Sequence, residues 1–208
     1  MSARPKSPAG EVSRSRRARS ADAPAGAHST HGALLDAGQA VAERDGLGGL
    51  SVNRVVAEAG VAKGTFYVHF TDREAFIDAL HERFHDHVQK AVAQATRGSE
   101  PGAQRIVLAV EAYLDVCLHE RAIKALSLEA RADAALTASM SARHDRFAAA
   151  AIPSLRAMGW PDPPAAAQML AAMTSELAVR ELEAGRRLPP ARRALRRFVC
   201  GEDSKSGR

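Results

Sequence analysis

Residues 50–76 read LSVNRVVAEAGVAKGTFYVHFTDREAF, and this stretch decides the fold. Ser51 precedes Val52, Val55 and Val56, apolar positions at helical spacing, and its hydroxyl suits the free N–H groups at a helix start. Gly60 permits the positive φ of a sharp break, and Val61 is small enough for the angle that follows. A second short helix comes at once with Ala62, Lys63, Gly64, Thr65, Phe66 and Tyr67, and Asp72 and Glu74 suit the positive end of a third. Two short helices joined by a tight turn make a helix-turn-helix, whose second helix has the shape to enter the major groove of DNA.

On that second helix Phe66 and Phe70 are the natural core anchors. Lys63 and Tyr67 are i,i+4 neighbours that can reach a duplex together. Lys63 suits a phosphate or the guanine O6/N7 edge, the Tyr67 hydroxyl suits a phosphate, and Thr65 can touch a thymine methyl group. Gly64 lets the backbone come close.

The same residues resemble the signature of tetracycline-repressor-type (TetR) transcriptional regulators. Ala59, Gly60 and Val61 stand at the turn, Tyr67, His69 and Phe70 close the short helix, and Arg73 and Glu74 open the next one. The resemblance reaches back to Thr30, where HGALLDAGQAVAERDG is similar to the family's first helix and its closing Gly46. It implies that Ser51, Thr65, Tyr67 and His69 face DNA with Arg73 near its backbone. It also implies a homodimer joined by the last two long helices, and a small-molecule effector in the C-terminal domain.

Composition agrees with an all-α chain. Among 208 residues only 4% are aromatic, alanine is abundant and β-branched residues are sparse. Two distant cysteines, Cys117 and Cys200, point to a reducing compartment, and the polar, Arg-rich N-terminus lacks a secretory h-region. No apolar run is long enough to cross a bilayer. A cytoplasmic protein with no membrane partner is expected.

The net charge of +5 is unevenly placed. Residues 1–28 carry six basic groups, among them Arg14, Arg16, Arg17 and Arg19, against Glu11 and Asp22. Residues 29–80 carry four basic against seven acidic groups, a net −3 in the unit that should meet phosphates. The basic segment, poor in large apolar side chains, reads as a disordered arm able to supply the missing attraction.

Behind the motif a helix beginning near Asp72 carries Phe76, Ile77, Leu80, Phe84 and Val88 at helical spacing, up to the loop Gly98–Gly102. Residues 104–120 are apolar nearly all round, which predicts a buried helix. Helices over Arg121–Ala130, Ala134–Met158 with a kink or a break at Pro153, Pro164–Ala184 and Ala191–Val199 complete about nine. The expected organisation is a disordered basic arm (1–28), a three-helix helix-turn-helix domain (29–80), a helical bundle for ligand binding and dimerisation (81–200) and a flexible tail (201–208). In the bundle Tyr113, Cys117, Phe147 and Met173 are the candidate ligand contacts, and Trp160 reads as a packing cap. Leu170, Thr174 and Leu177 lie on one stripe with small neighbours, a candidate dimer seam with Leu195 and Phe198 turned inward. The Arg-rich face of the last helix, Arg192 included, is expected in water.

One motif competes with this reading. His81-Glu82-Arg83-Phe84-His85 is HExxH, which on a helix sets two imidazoles on one face beside a carboxylate, as in a zinc-dependent hydrolase. The third ligand is missing, since Val88 and Ala91 stand where an extended zinc motif needs glycine and histidine. There is no Gly-rich phosphate loop and no Ser/His/Asp arrangement. The expectation is therefore a DNA-binding regulator without catalysis, cofactor or resident metal: a repressor that binds a palindromic double-stranded operator as a homodimer and answers an effector.

Overall fold

The computed structural model describes residues 29–129 and 145–201. The predicted basic arm, the end of the predicted Arg121–Ala130 helix at residue 130, residues 134–144 of the predicted Ala134–Met158 helix, and most of the predicted tail lie outside these residues. Nine bounded helices, and no strand, occur among the described residues: α1 (Thr30–Gly49), α2 (Val52–Ala59), α3 (Lys63–His69), α4 (Arg73–Ala95), α5 (Ala103–His119), α6 (Arg121–Glu129), α7 (Ile152–Ala157), α8 (Pro163–Ala184) and α9 (Pro189–Cys200).

Local chemistry sets the boundaries. Ser29 caps α1 by accepting from the Gly32 N–H at 3.2 Å, and the helix is interrupted at Gly46 (φ 66°, ψ −168°). Ser51 caps α2, accepting from the Arg54 N–H at 3.4 Å. At the other end Gly60 is left-handed (φ 67°), and the Val61 N–H returns to the Val56 carbonyl at 3.0 Å. Asp72 caps α4, accepting from the Ala75 N–H at 2.7 Å. Pro153 falls in the first turn of α7, where no N–H is needed. It therefore starts a new helix after the helical residues 145–149 rather than kinking one long helix.

The N-terminal unit closes on aromatic rings. Phe66 on α3 and Phe70, the residue that closes it, meet Phe76 on α4 at centroid distances of 5.3 and 5.0 Å, with Leu34, Val41 and Val55 buried around them. The close approach of α1 to α4 depends on Gly38, where a Cβ atom would lie 2.3 Å from Phe76 Cζ. Arg83 on α4 ties the two helices further, donating to Asp36, to the Leu35 carbonyl and to Gln39 at 2.6, 2.9 and 3.0 Å.

The expected domain boundary at residue 80 falls inside α4, which runs unbroken from the unit into the body. There α4 packs on α5, α5 on α8 and α9, and α7 on α8. Two expectations for the last helix are corrected. Arg192 is buried, not solvated: it donates to Glu181 at 2.8 and 2.6 Å, to Glu111 at 2.7 Å and to Asp115 at 2.8 Å. Burial alone would raise the Glu181 carboxyl, but hydrogen bonds from Arg192 and from the Leu188 N–H hold it below the ordinary carboxylate range. Phe198, expected inward with Leu195, is 69% exposed, while Leu195 is buried. An ion network thus joins α5, α8 and α9 where the sequence shows only a basic face.

Candidate nucleic-acid interface

The rings of Phe66 and Phe70 turn one face of α3 into the core, so the opposite face must look outward. On it Lys63, Gly64, Tyr67, Val68 and His69 are exposed, and Thr65 is half-buried. A Cβ atom on Gly64 would meet nothing within 4 Å. The space beside it therefore serves no packing within the chain and is open to an approaching molecule. Ser51 is exposed while it caps α2. The His69 ring lies 5.8 Å from that of His31 at the start of α1.

Val68 was missed in the sequence reading. It is 79% exposed, more than any other large apolar side chain described. The signal was available, because position 68 lies across the helix from the Phe66–Phe70 pair. An apolar group on the exposed face of such a helix has the chemistry to suit a thymine methyl, the apolar feature of the major-groove edge.

Charge is sorted within the unit. Arg44 pairs with Asp45 and Glu58 at 3.3 and 3.1 Å, and Arg54 pairs with Asp45 at 2.9 Å. Arg73, expected near the DNA backbone, donates through Nε to the Leu50 carbonyl at 2.6 Å and so fixes the start of α4 against the α1–α2 turn. Asp36 is held by Arg83, and Asp72 is engaged as a cap. No acidic residue lies on α3, and Lys63 has no ion-pair partner among the described residues. The net −3 of the segment therefore does not describe the face that α3 presents.

The other sequence candidates fall elsewhere. His81 is buried in α4 while Glu82 next to it faces solvent. Among the described residues no three His, Cys, Asp or Glu side chains gather where a metal could be held. The HExxH motif is thus divided between core and surface. In the body, a cavity of about 360 Å³ lies between α4, α5, α7, α8 and residues 146–151. Of the four predicted ligand contacts only Phe147 lines it. Tyr113 stacks behind Phe147 at 4.8 Å and accepts from Lys124 Nζ at 3.1 Å. Cys117 is buried, and burial pushes its thiol up. Met173 lines a separate groove of about 320 Å³ with Leu155, Trp160, Met169, Phe198 and Val199. Leu170, Thr174 and Leu177, predicted as a dimer seam, are buried within the chain itself, and Leu170 and Thr174 line the cavity. No described helix is long and apolar enough to cross a membrane.

Residues 34–80 match the family described as "Bacterial regulatory proteins, tetR family". The chain is also similar to solved structures of whole regulators. One is a transcriptional regulator from Rhodococcus sp. Rha1, at 21% identity and a TM-score of 0.73 over 82% of this chain and 94% of that one. Another is a putative TetR-family transcriptional regulator from Rhodococcus sp., at 22% identity and a TM-score of 0.70 over 82% of this chain and 96% of that one. A third is the fatty acid degradation regulator FadR from Bacillus halodurans, at 17% identity and a TM-score of 0.71 over 86% and 98%. At these identities the likeness is one of fold. Residues 34–80 thus match the tetR-family model, and the chain as a whole shares the fold of these solved regulators.

Proposed function

We propose that this chain is a ligand-responsive repressor that binds a near-palindromic operator as a homodimer. The observation that supports this reading most directly is the course of α4. Its first turns, with Phe76, Ile77 and Leu80, belong to the core against which α3 is set. Its later turns, with Val88 and Val92, form a wall of the body cavity. A molecule in the cavity and the recognition helix therefore bear on one rigid element. A ligand that favours one setting of α4 shifts DNA affinity by its differential affinity for the two settings.

In this reading Lys63, Gly64, Thr65, Tyr67 and Val68 meet the groove, and Ser51 and His69 flank it. Two copies of α3 would read half-sites about one helical turn, ~34–36 Å, apart. The arm of residues 1–28 would add non-specific attraction to the phosphates. The dimer surface is the outer face of α8 and α9, where Met169 (64%), Phe198 (69%) and Trp160 (43%) stay exposed around the second groove. Large apolar groups clustered in this way suit burial against another copy.

The test uses DNA selected from genomic fragments by the full chain. We expect one two-fold symmetric site, bound by a dimer in light scattering. Phe198→Asp should leave a folded monomer, because position 198 is exposed within the chain. Its operator affinity should fall at least about a hundredfold as the effective concentration of the second half-site is lost. A Phe198→Asp dimer with normal affinity would move the interface elsewhere.

A further inference from the structure

We infer that the body cavity takes an elongated apolar molecule ending in a single anionic group, held by the Nε–Nη2 edge of Arg105. This rests on the reading of the cavity as an effector site and names the chemistry of the effector.

The shape comes from α4. His85, Val88, Val92 and Thr96 follow one another along its inner face. At 1.5 Å per residue they span roughly 16 Å, so the cavity is long. Its middle is apolar: Val88 and Val92 face Ile106 and Val110 of α5 and Leu170 of α8. No aspartate or glutamate is among the described residues that line it, whereas Arg105 and Arg146 both do. Among the described lining residues a cationic ligand would meet no carboxylate and two guanidinium groups. A wholly apolar one would leave the Nε–Nη2 edge of Arg105 unused.

Arg105 is set for the task. Its Nη1 donates to the carbonyls of Thr96 and Ser99, at 3.2 and 2.7 Å, which fixes the plane of the guanidinium at the Thr96 end of the cavity. Nε and Nη2 make no hydrogen bond among the described residues. That free edge carries two parallel N–H donors, the fork that matches the two oxygens of a carboxylate. Arg146, exposed and without an ion-pair partner among the described residues, adds a second positive charge to the lining.

The experiment varies only the end group on one chain. Dodecanoate, dodecanol and dodecyltrimethylammonium are titrated calorimetrically into the full-length protein below their micelle-forming concentrations, and release of selected DNA is followed in the same series. Dodecanoate should bind at least about tenfold more tightly than dodecanol, the difference expected of one charge-assisted fork, and the ammonium should bind weakest. Arg105→Gln should bring dodecanoate and dodecanol to within about twofold of each other. Arg105→Lys, which keeps the charge and loses the fork, should restore part of the preference. Thermal melting checks that each variant folds, and the ranking in the unaltered protein decides the matter even if Arg105→Gln does not. Equal or reversed affinities, or no binding by any of the three, overturns the inference. Tight dodecanoate binding that leaves DNA affinity unchanged upholds the end-group chemistry and overturns the effector reading instead.

Discussion

Between α1 and α4 the helix-turn-helix unit closes on three phenylalanine rings, whereas the body leaves a cavity with many alanines on its border. Phe66, Phe70 and Phe76 stack within about 5 Å of one another, so close that position 38 has no room for a methyl group. Around the body cavity stand Ala93, Ala109, Ala148, Ala151, Ala167 and Ala171. Large rings interdigitate and fix one arrangement; small side chains on helices held apart by other contacts leave a void. The first region has to present α3 in a single pose. The second has room for a molecule that is not part of the chain.

The largest effect should follow from breaking the ring cluster. Phe76→Ala opens a cavity in the filled region and should cost about 3–5 kcal/mol in denaturant unfolding, with DNA binding lost in step. A cost below ~1 kcal/mol would mean that the unit tolerates voids as the body does.

Slightly smaller is the effect of removing the ion network that joins α5, α8 and α9. Arg192→Ala leaves Glu181 buried and unpaired, at about 3 kcal/mol. The pH dependence follows from Glu181, whose carboxyl is depressed in the folded chain. Its contribution is present above the ordinary carboxylate value of 4.5 and is lost as pH falls through the lower folded value. Glu181→Gln should therefore flatten the acid limb of the stability curve, and an unchanged limb would assign acid unfolding to other groups.

Filling the void should do little to stability. Ala109→Leu projects into open space and should shift unfolding by no more than about 1 kcal/mol, since overpacking costs arise where room is absent. It should also abolish dodecanoate binding. If it destabilises as Phe76→Ala does, the two regions do not differ as described.

On the surface of α3 the effect on stability should vanish while that on binding persists. Lys63→Ala and Tyr67→Phe should melt as the unaltered protein does and bind the operator more weakly. The lysine variant should lose about one unit of salt slope if Lys63 meets a phosphate. Titrations at several salt concentrations decide this.

The same contrast explains what could be read in the sequence. Ser51, Gly60 and Asp72 act on backbone groups within four residues of themselves, so the turn and the helix starts were visible in a short string. The outward face of α3 followed from Phe66 and Phe70 alone. Arg192 could not be read this way, because its partners Glu111 and Asp115 lie 81 and 77 residues away. The cavity was misplaced for a different reason. Tyr113, Cys117 and Met173 lie on helices of the body, yet the cavity opens between other faces, and its position depends on four helices at once. Leu170, Thr174 and Leu177 do form one stripe, but a stripe does not say whether its partner is the same chain or another copy.

Gly64 is a place where folding and function ask for different residues. Alanine there would meet nothing within 4 Å among the described residues and would favour the helix by about 0.5–1 kcal/mol. Selection for stability alone would therefore replace this glycine, and a thermostabilised variant obtained without a DNA-binding screen would tend to carry a methyl group at the surface meant for the groove. Position 64 can thus serve as a marker of the proposed role: if α3 meets the groove there, selection for DNA binding should keep glycine and its relaxation should admit alanine.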